Sequence, residues 1–365
     1  MRSSVVPLVA LCVLAAATDP LSELCDHTTN TTCVVNTSKI FPPTQTGRFQ
    51  PNKPAVKFYN SSLRLDVAHD VTIGCDSPCN DTTAFTQLKK EDCACNLTFA
   101  FASGIALRSG STLVAGALRL ISTKKDAVVE IEPYARVDTT GMGRCIDQYE
   151  AGTPQSCSAT ECYGAGHGGY GGSCGAAEGG LPFGDGSDPM RAVLNSKTVS
   201  NPNYLYGAGI VDSKKRCCGG GHVYVSAPKL IVDGHIHADG QPPCRLNGTA
   251  ADGDVRDDLP ICDQARYGQT PCQGLGGAAG GTIVYIATGA GAAKDALSGN
   301  GTISARGGNA DHSHGTKDLG GGAGGQMQLP GCPPTPADNL IVKIAGGSSY
   351  DSPTTASECK NGGAG

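Results

Sequence analysis

The chain has 365 residues, 33 acidic against 28 basic, and a formal net charge of −5. That length holds two average domains or one longer repetitive one, and without a block of like charge it argues against nucleic acid or a basic membrane-surface patch. Glycine, at 52 residues, is about twice its average usage, while tryptophan is absent and aromatics are 5%. A large aromatic core is therefore excluded, and strands must pack through Val, Ile, Leu and Ala, with glycine allowing close backbone approach.

Residues 1–17 read as a secretory signal peptide: Arg2 gives the positive end, Val5 to Leu14 the apolar run, and Ala15-Ala16-Ala17 the cleavage site. The apolar run is short for a membrane span. The expected location is secreted and extracellular, including the cell surface. Of 18 cysteines, Cys12 leaves with the signal. The disulfide candidates are Cys25, Cys33, Cys75, Cys79, Cys93, Cys95, Cys145, Cys157, Cys162, Cys174, Cys217, Cys218, Cys244, Cys262, Cys272, Cys332 and Cys359. Such density in an exported chain means disulfides, and the odd number leaves one thiol free or paired between chains. Zinc is the rival reading for Cys75-x3-Cys79 and Cys93-x-Cys95. Sequons at Asn30, Asn36, Asn60, Asn80, Asn96, Asn247 and Asn300 mark candidate glycosylation sites.

In chain order, residues 18–95 form a Cys- and sequon-rich N-terminal segment and cap. Thr18 to about Lys57 reads as an irregular entry held by Cys25 and Cys33. Strand patterns start at Leu63-x-Leu65-x-Val67 and Val71-x-Ile73, and Cys75 to Cys95 staple a polar insertion that blocks an exposed edge. Residues 96–365 form a glycine-rich repeat region. Leu97-x-Phe99-x-Phe101 and Ile105-x-Leu107 alternate, the run Leu113 to Leu120 follows, then Val128 to Ile131 and Ala135 to Val137. Strands this short and close, without helical periodicity, suggest successive faces of a coiling parallel sheet. A sandwich of hairpins is the alternative, but the two-residue hairpin turns it needs are largely missing here.

Insertions are expected at about 141–218 and 241–276, with a smaller one at Pro330 to Asp338. The first carries Gly164-Ala165-Gly166-His167-Gly168-Gly169-Tyr170-Gly171-Gly172 and is expected to be ordered by disulfides and glycine turns, without a core of its own. Between and beyond them glycine clusters lead repeatedly into β-rich runs: Gly219-Gly220-Gly221 into His222 to Ala227, Gly280-Gly281 into Thr282 to Ala287, and Gly324-Gly325 into Gln326 to Leu329.

Three stretches carry a family resemblance: Cys95 to Thr98 through Ser111 to Gly116, the Gly164 to Gly172 cluster, and Gly219 to Gly240 with the Gly277-x-x-Gly280-Gly281 restart. Over most of residues 60 to 350 and in the same order, the chain resembles large secreted glycine-rich proteins of plants and several protist lineages. The resemblance implies a β-helix-like extracellular region, commonly within a longer chain with a distant transmembrane anchor. It implies no catalytic residue, because no biochemical activity is established for that family. Asn361-Gly362-Gly363-Ala364-Gly365 reads as the start of a further glycine cluster with no anchor helix or lipid-anchor signal after it, so either a partial gene product or a truncated, freely secreted member is expected.

Few constellations carry chemistry. Gly166-His167-Gly168 matches one short motif of polygalacturonases, but Asp257-Asp258 follows it where their order is the reverse, and their remaining elements are missing. With glycine on both sides, His167 reads as a loop histidine. His235 and His237 alternate along one strand and so share a face; His312 and His314 repeat the spacing. Such pairs are candidate metal ligands, weighed against ordinary exposed histidines. Asp233-Gly234, Asp239-Gly240 and Asp252-Gly253-Asp254 lack calcium-loop spacing and read as turns. No Gly-Lys-Ser/Thr follows a glycine cluster, which argues against a phosphate loop.

The expectation is an all-β chain, a right-handed parallel β-helix or β-solenoid with disulfide-rich insertions. Its expected function is non-enzymatic: an extracellular structural or adhesive protein contacting cell-wall or matrix glycans or protein partners, with no cofactor and no catalytic residue. The alternatives are a polysaccharide-active enzyme of the pectin lyase or polygalacturonase kind, and a truncated ectodomain of a membrane-anchored receptor-like protein.

Overall fold

The computed structural model describes residues 20–41, 55–73, 96–143, 161–162, 164–168, 170–173, 179, 207, 209–212, 215–242, 272, 275–288, 296–310, 318–330, 339–349, 361 and 363. The described chain is all-β apart from one short helix, α1 (Pro20–Leu24). After α1 come β1 (His27–Thr28), β2 (Thr32–Val35), β3 (Lys39–Phe41) and β4 (Ala55–Asn60). Two further three-strand rounds follow: β5 (Arg64–Val67), β6 (Val71–Ile73) and β7 (Asn96–Phe101), then β8 (Ile105–Leu107), β9 (Thr112–Val114) and β10 (Ala117–Ile121). The next round begins with β11 (Val128–Ile131) and β12 (Arg136–Asp138). It is interrupted by β13 (Glu161–Cys162), β14 (Ile210–Asp212) and β15 (Lys215–Cys217), and finishes in β16 (His222–Ala227). Then come β17 (Lys229–Val232), β18 (His235–His237) and β19 (Thr282–Ala287), and β20 (Leu297–Ser298) with β21 (Thr302–Ser304). The short β22 (Asp318–Leu319) precedes β23 (Gln326–Gln328), and β24 (Ile341–Lys343) ends the series.

Members of each round go to different sheets in a fixed order. The first sheet is β1-β2-β5-β8-β11-β17-β20, the second β3-β6-β9-β12-β18-β21-β24 and the third β4-β7-β10-β16-β19-β23. All pairings in them are parallel except β1 with β2. Two small pairs stand apart, β13 with β22 in parallel and β14 with β15 antiparallel.

Alternation explains the strands. In β5, β11 and β17 every second side chain is buried, so Leu65, Val129 and Leu230 stack in register with Ile105 on the inner side of the first sheet. The third sheet contributes Phe58 stacked on Phe99 at 5.8 Å between ring centroids, with Phe41 tilted against Phe58 at 5.1 Å. Burying one such side chain contributes roughly 1.5–3 kcal/mol. One continuous apolar cluster therefore runs from Leu24 to Leu340.

The run Leu113 to Leu120, read from sequence as one stretch, is two strands in two sheets, with Ala115-Gly116 as the corner. At that corner the glycine clusters acquire a reason. A Cβ on Gly221 would land on the carbonyl oxygen of Gly116, one on Gly281 on that of Gly221, and one on Gly325 on that of Gly281. Each restart glycine thus seats its backbone on the glycine of the round before.

The irregular entry expected for Thr18 to Lys57 is corrected: Thr32 to Asn60 already supplies one strand to each sheet. Prolines and sequons in this stretch mask a pattern that is clear in the buried alternation of Thr32–Val35. The described end of the apolar cluster is covered by α1, whose Leu24 is fully buried, and by the antiparallel β1, tied across by Cys25–Cys33. The cap expected from Cys75 to Cys95 lies outside the described residues. Opening a bridge with a sequence separation of 8 is expected to cost roughly 2–3 kcal/mol. The Cys25→Ala/Cys33→Ala variant should lose hydrogen-exchange protection at Val34 before Leu97, and simultaneous loss at both would refute a local role for the bridge.

The first insertion is also corrected. Within and around it, Ala165, Ile210, Cys217, Cys272, Leu275, Ala278, Ala279, Ala310, Leu319 and Ala323 form a second buried cluster. Apart from the short pairs β13–β22 and β14–β15, glycine-rich segments build it through isolated backbone hydrogen bonds. Ala165 N donates to Gly277 O, Gly277 N to Gly320 O, Gly308 N to Ala278 O, Gly220 N to Ala279 O and Gly280 N to Ala323 O, at 2.7–3.0 Å. Successive peptides of Gly277–Gly281 thus bond to several different segments around it. Cys217–Cys272 ties this layer together, and Cys218 is also in a disulfide.

Candidate functional site

The first and second sheets present contrasting solvent faces. On the first sheet charges are paired across rounds: Arg64 meets Glu130 at 3.2 Å, and Arg108 bridges Asp66 and Glu132, reaching the latter at 2.6 Å. Hydrogen bonding to Asp66 and then to Glu132 holds the Arg108 guanidinium well above its usual range, and that to Arg108 holds Glu132 low. This is a self-satisfied ladder whose partners leave little free charge for a ligand.

The second sheet differs. Parallel register places Thr112, Arg136, His235, Thr302 and Ile341 in one outward row. Asp138, His237, Ser304 and Lys343 form the next. Ile236 between the histidines is fully buried, so both rings project outward, half-buried, with centroids 5.4 Å apart. Arg136 and Lys343 are exposed. Among the described residues Arg136, His235, His237 and Lys343 make no ion pair and no side-chain hydrogen bond. Burial first, then the charges of His237, Arg136 and Lys343, push the His235 imidazole below its ordinary range.

The acids nearby are turned to the backbone. Asp138 is buried and accepts from Thr140 N at 3.0 Å; Asp233 accepts from Asn300 N at 2.9 Å. Asp239 accepts from Ser304 Oγ and Arg306 N, each at 2.6 Å. Asp233-Gly234 and Asp239-Gly240 thus bind adjacent rounds together. A metal at the histidine pair is disfavoured by Arg136 and Lys343 beside it, and no group of three or more metal-ligating side chains gathers among the described residues. His312 and His314 lie outside the described residues.

One feature of this edge is invisible in sequence. At the corner from first to second sheet, Gly110 and Gly299 take left-handed backbone with φ of 83° and 128°. In the round after that of Gly110 the corner carries Tyr134, at φ 67° and 79% exposed, two residues before Arg136. A bulky side chain in that conformation is uncommon, and such outliers concentrate at functional sites.

His167, expected in a loop, is fully buried, and its Nδ1 donates to the Gly280 carbonyl at 2.7 Å. Asn30, Asn36 and Asn300 are exposed and Asn60 is half-buried, its Oδ1 accepting from Ser62 N and Leu63 N at 2.8 Å. Asn96 lies on β7 between Ala55 and Ala117. Cys162 lies on β13. The signal peptide, Asn80, Asn247, Asp257, Asp258, Cys75, Cys79, Cys93, Cys95, Cys145, Cys157, Cys174, Cys244, Cys262, Cys332 and Cys359 are outside the described residues.

No protein-family model, curated protein or solved structure matches the chain.

Proposed function

We propose that the three sheets are the faces of a right-handed parallel β-helix, and that the protein is a non-enzymatic extracellular structural or adhesive protein. Its long surface would contact cell-wall or matrix glycans or protein partners. The observation that carries this reading is the fixed order in which each round supplies one strand to each of three sheets, in residue-for-residue register. Stacked rounds give a rigid, extended scaffold whose outward rows repeat along one direction. The right hand follows from the twist of strands joined by parallel crossovers. Disulfides and the likeness to secreted glycine-rich proteins support an extracellular setting.

The test is expression of the full chain in a eukaryotic host. The expected result is a secreted protein whose gel mobility rises after glycosidase treatment, and which gives no reducing ends or unsaturated products from pectin, glucan or chitin. Retention as an unglycosylated cytosolic protein would overturn the extracellular assignment. Polymer turnover would favour a polysaccharide-active enzyme instead.

A further inference from the structure

We propose that the outer face of the second sheet, with Tyr134 at its edge, binds a carboxylate-bearing acidic polysaccharide through Arg136, Lys343 and protonated His235. The inference rests on the extracellular, glycan-contacting reading above and narrows it to one surface and one ligand chemistry.

Charge complementarity is the first support. Arg64 and Arg108 on the first-sheet side are spent on ion pairs, whereas Arg136, His235, His237 and Lys343 share a face and stay unpaired among the described residues. The charged groups around His235 are Arg136 and Asp138 on β12, His237 on its own strand, Asp233 and Asp239 at its ends, Lys343 on β24 and Arg306 after β21. The three aspartates are buried or half-buried and hydrogen-bonded to Thr140, Asn300, Ser304 and Arg306, whereas Arg136, Arg306 and Lys343 are exposed. The cations therefore reach furthest into solvent, and a proton on His235 makes the face net positive. A guanidinium fork suits a planar carboxylate.

Spacing and shape add to this. Rows that repeat at the strand spacing of roughly 4.8 Å suit a chain of repeated anionic units better than a single small anion. Tyr134 supplies an exposed aromatic ring in a corner where neighbouring rounds use glycine, and the apolar face of a sugar ring can stack on it. Holding an aromatic residue in left-handed backbone is unfavourable, a cost that binding would explain.

Acidification should strengthen the contact. Arg136 and Lys343 oppose protonation of His235, and a bound polyanion offsets them, so proton uptake at His235 and polymer binding support each other.

The test uses the full secreted chain on immobilised polygalacturonate, dextran and dextran sulfate. Polygalacturonate should be retained and dextran should not, with affinity rising as the pH falls below about 6.5 and falling again near pH 3 as the uronates protonate. Arg136→Ala should weaken binding about fivefold. His235→Ala should reduce the gain seen below about pH 6.5. Tyr134→Gly should weaken binding while leaving Tm unchanged or raised, which separates ligand contact from folding. Lys229→Ala, on the first sheet, should change nothing. Failure to bind polygalacturonate, equal retention of dextran, binding of dextran sulfate alone, or variants indistinguishable from the parent would each overturn the inference while leaving the structural reading standing. Depolymerisation of the substrate would instead overturn the structural reading.

Discussion

Lowering the pH below 6.5 is expected to remove roughly 1.4 kcal/mol of folding stability per pH unit through His222 alone, down to about pH 3. His222 starts β16 on the outer side of the third sheet, yet it is only 2% exposed, and its Nε2 has no hydrogen-bond partner. Burial first, and the charge of Arg119 second, push its pKa down to about 3 from the ordinary 6.5. Between those values the unfolded chain binds a proton that the folded chain refuses. Stability from the neutral ring is therefore fully present above 6.5 and is lost as pH falls towards 3. Thr282, its neighbour in register, has a buried and equally unpartnered Oγ1, so the two groups are not bonded to each other and the ring is desolvated without compensation at Nε2. Denaturant midpoints measured across this range should separate the parent from His222→Leu, whose acid limb should be shallower and whose stability near neutral pH should not fall. Parallel acid limbs would show that His222 is not the group responsible.

The strands were legible where one face is buried against the core. Leu65 and Ile236 each sit between polar neighbours, and that alternation is visible in the letters alone. The glycine-rich layer was not legible. Its order comes from peptide-to-peptide bonds such as Gly277 to Gly320, and a backbone stabilised that way leaves neither a two-residue nor a 3.6-residue side-chain period. His167 lies outside the strands, as its glycine neighbours suggest, but its full burial and its bond to the Gly280 carbonyl have no sign in the letters. At the candidate site the His235 and His237 pair could be read from spacing. Arg136 and Lys343 could not be joined to it, because only the register of β12, β18, β21 and β24 brings those distant positions together. The backbone of Tyr134 has no signature in sequence at all.

Gly281→Ala is expected to be far more damaging than Gly110→Ala, although both replace glycine by the smallest chiral residue. Gly110 has left-handed backbone with φ 83°, but a Cβ there meets nothing within 4 Å. Its cost is conformational and should be about 1–2 kcal/mol. Gly281 lies in the column at the second-to-third corner, where a Cβ would land on the Gly221 carbonyl and crowd Gly220. Its own N–H is given to Ala238 O at 2.6 Å, and its carbonyl accepts from Gln326 N at 2.9 Å. The obstacle is backbone held from both sides, so no flexible side chain can move aside. Relief requires β19 to lift from β16, which would strain the register from Thr282–His222 to Ala287–Ala227. Overpacking typically costs roughly 1–3 kcal/mol, and this site, with backbone on both sides, should reach or pass the upper end. Chemical denaturation of the two variants should therefore give clearly different midpoints, with hydrogen exchange in Gly281→Ala rising first along β16 and β19. Equal midpoints for the two substitutions would mean that the column is not close-packed, and the account of the recurring glycine clusters would fail with it.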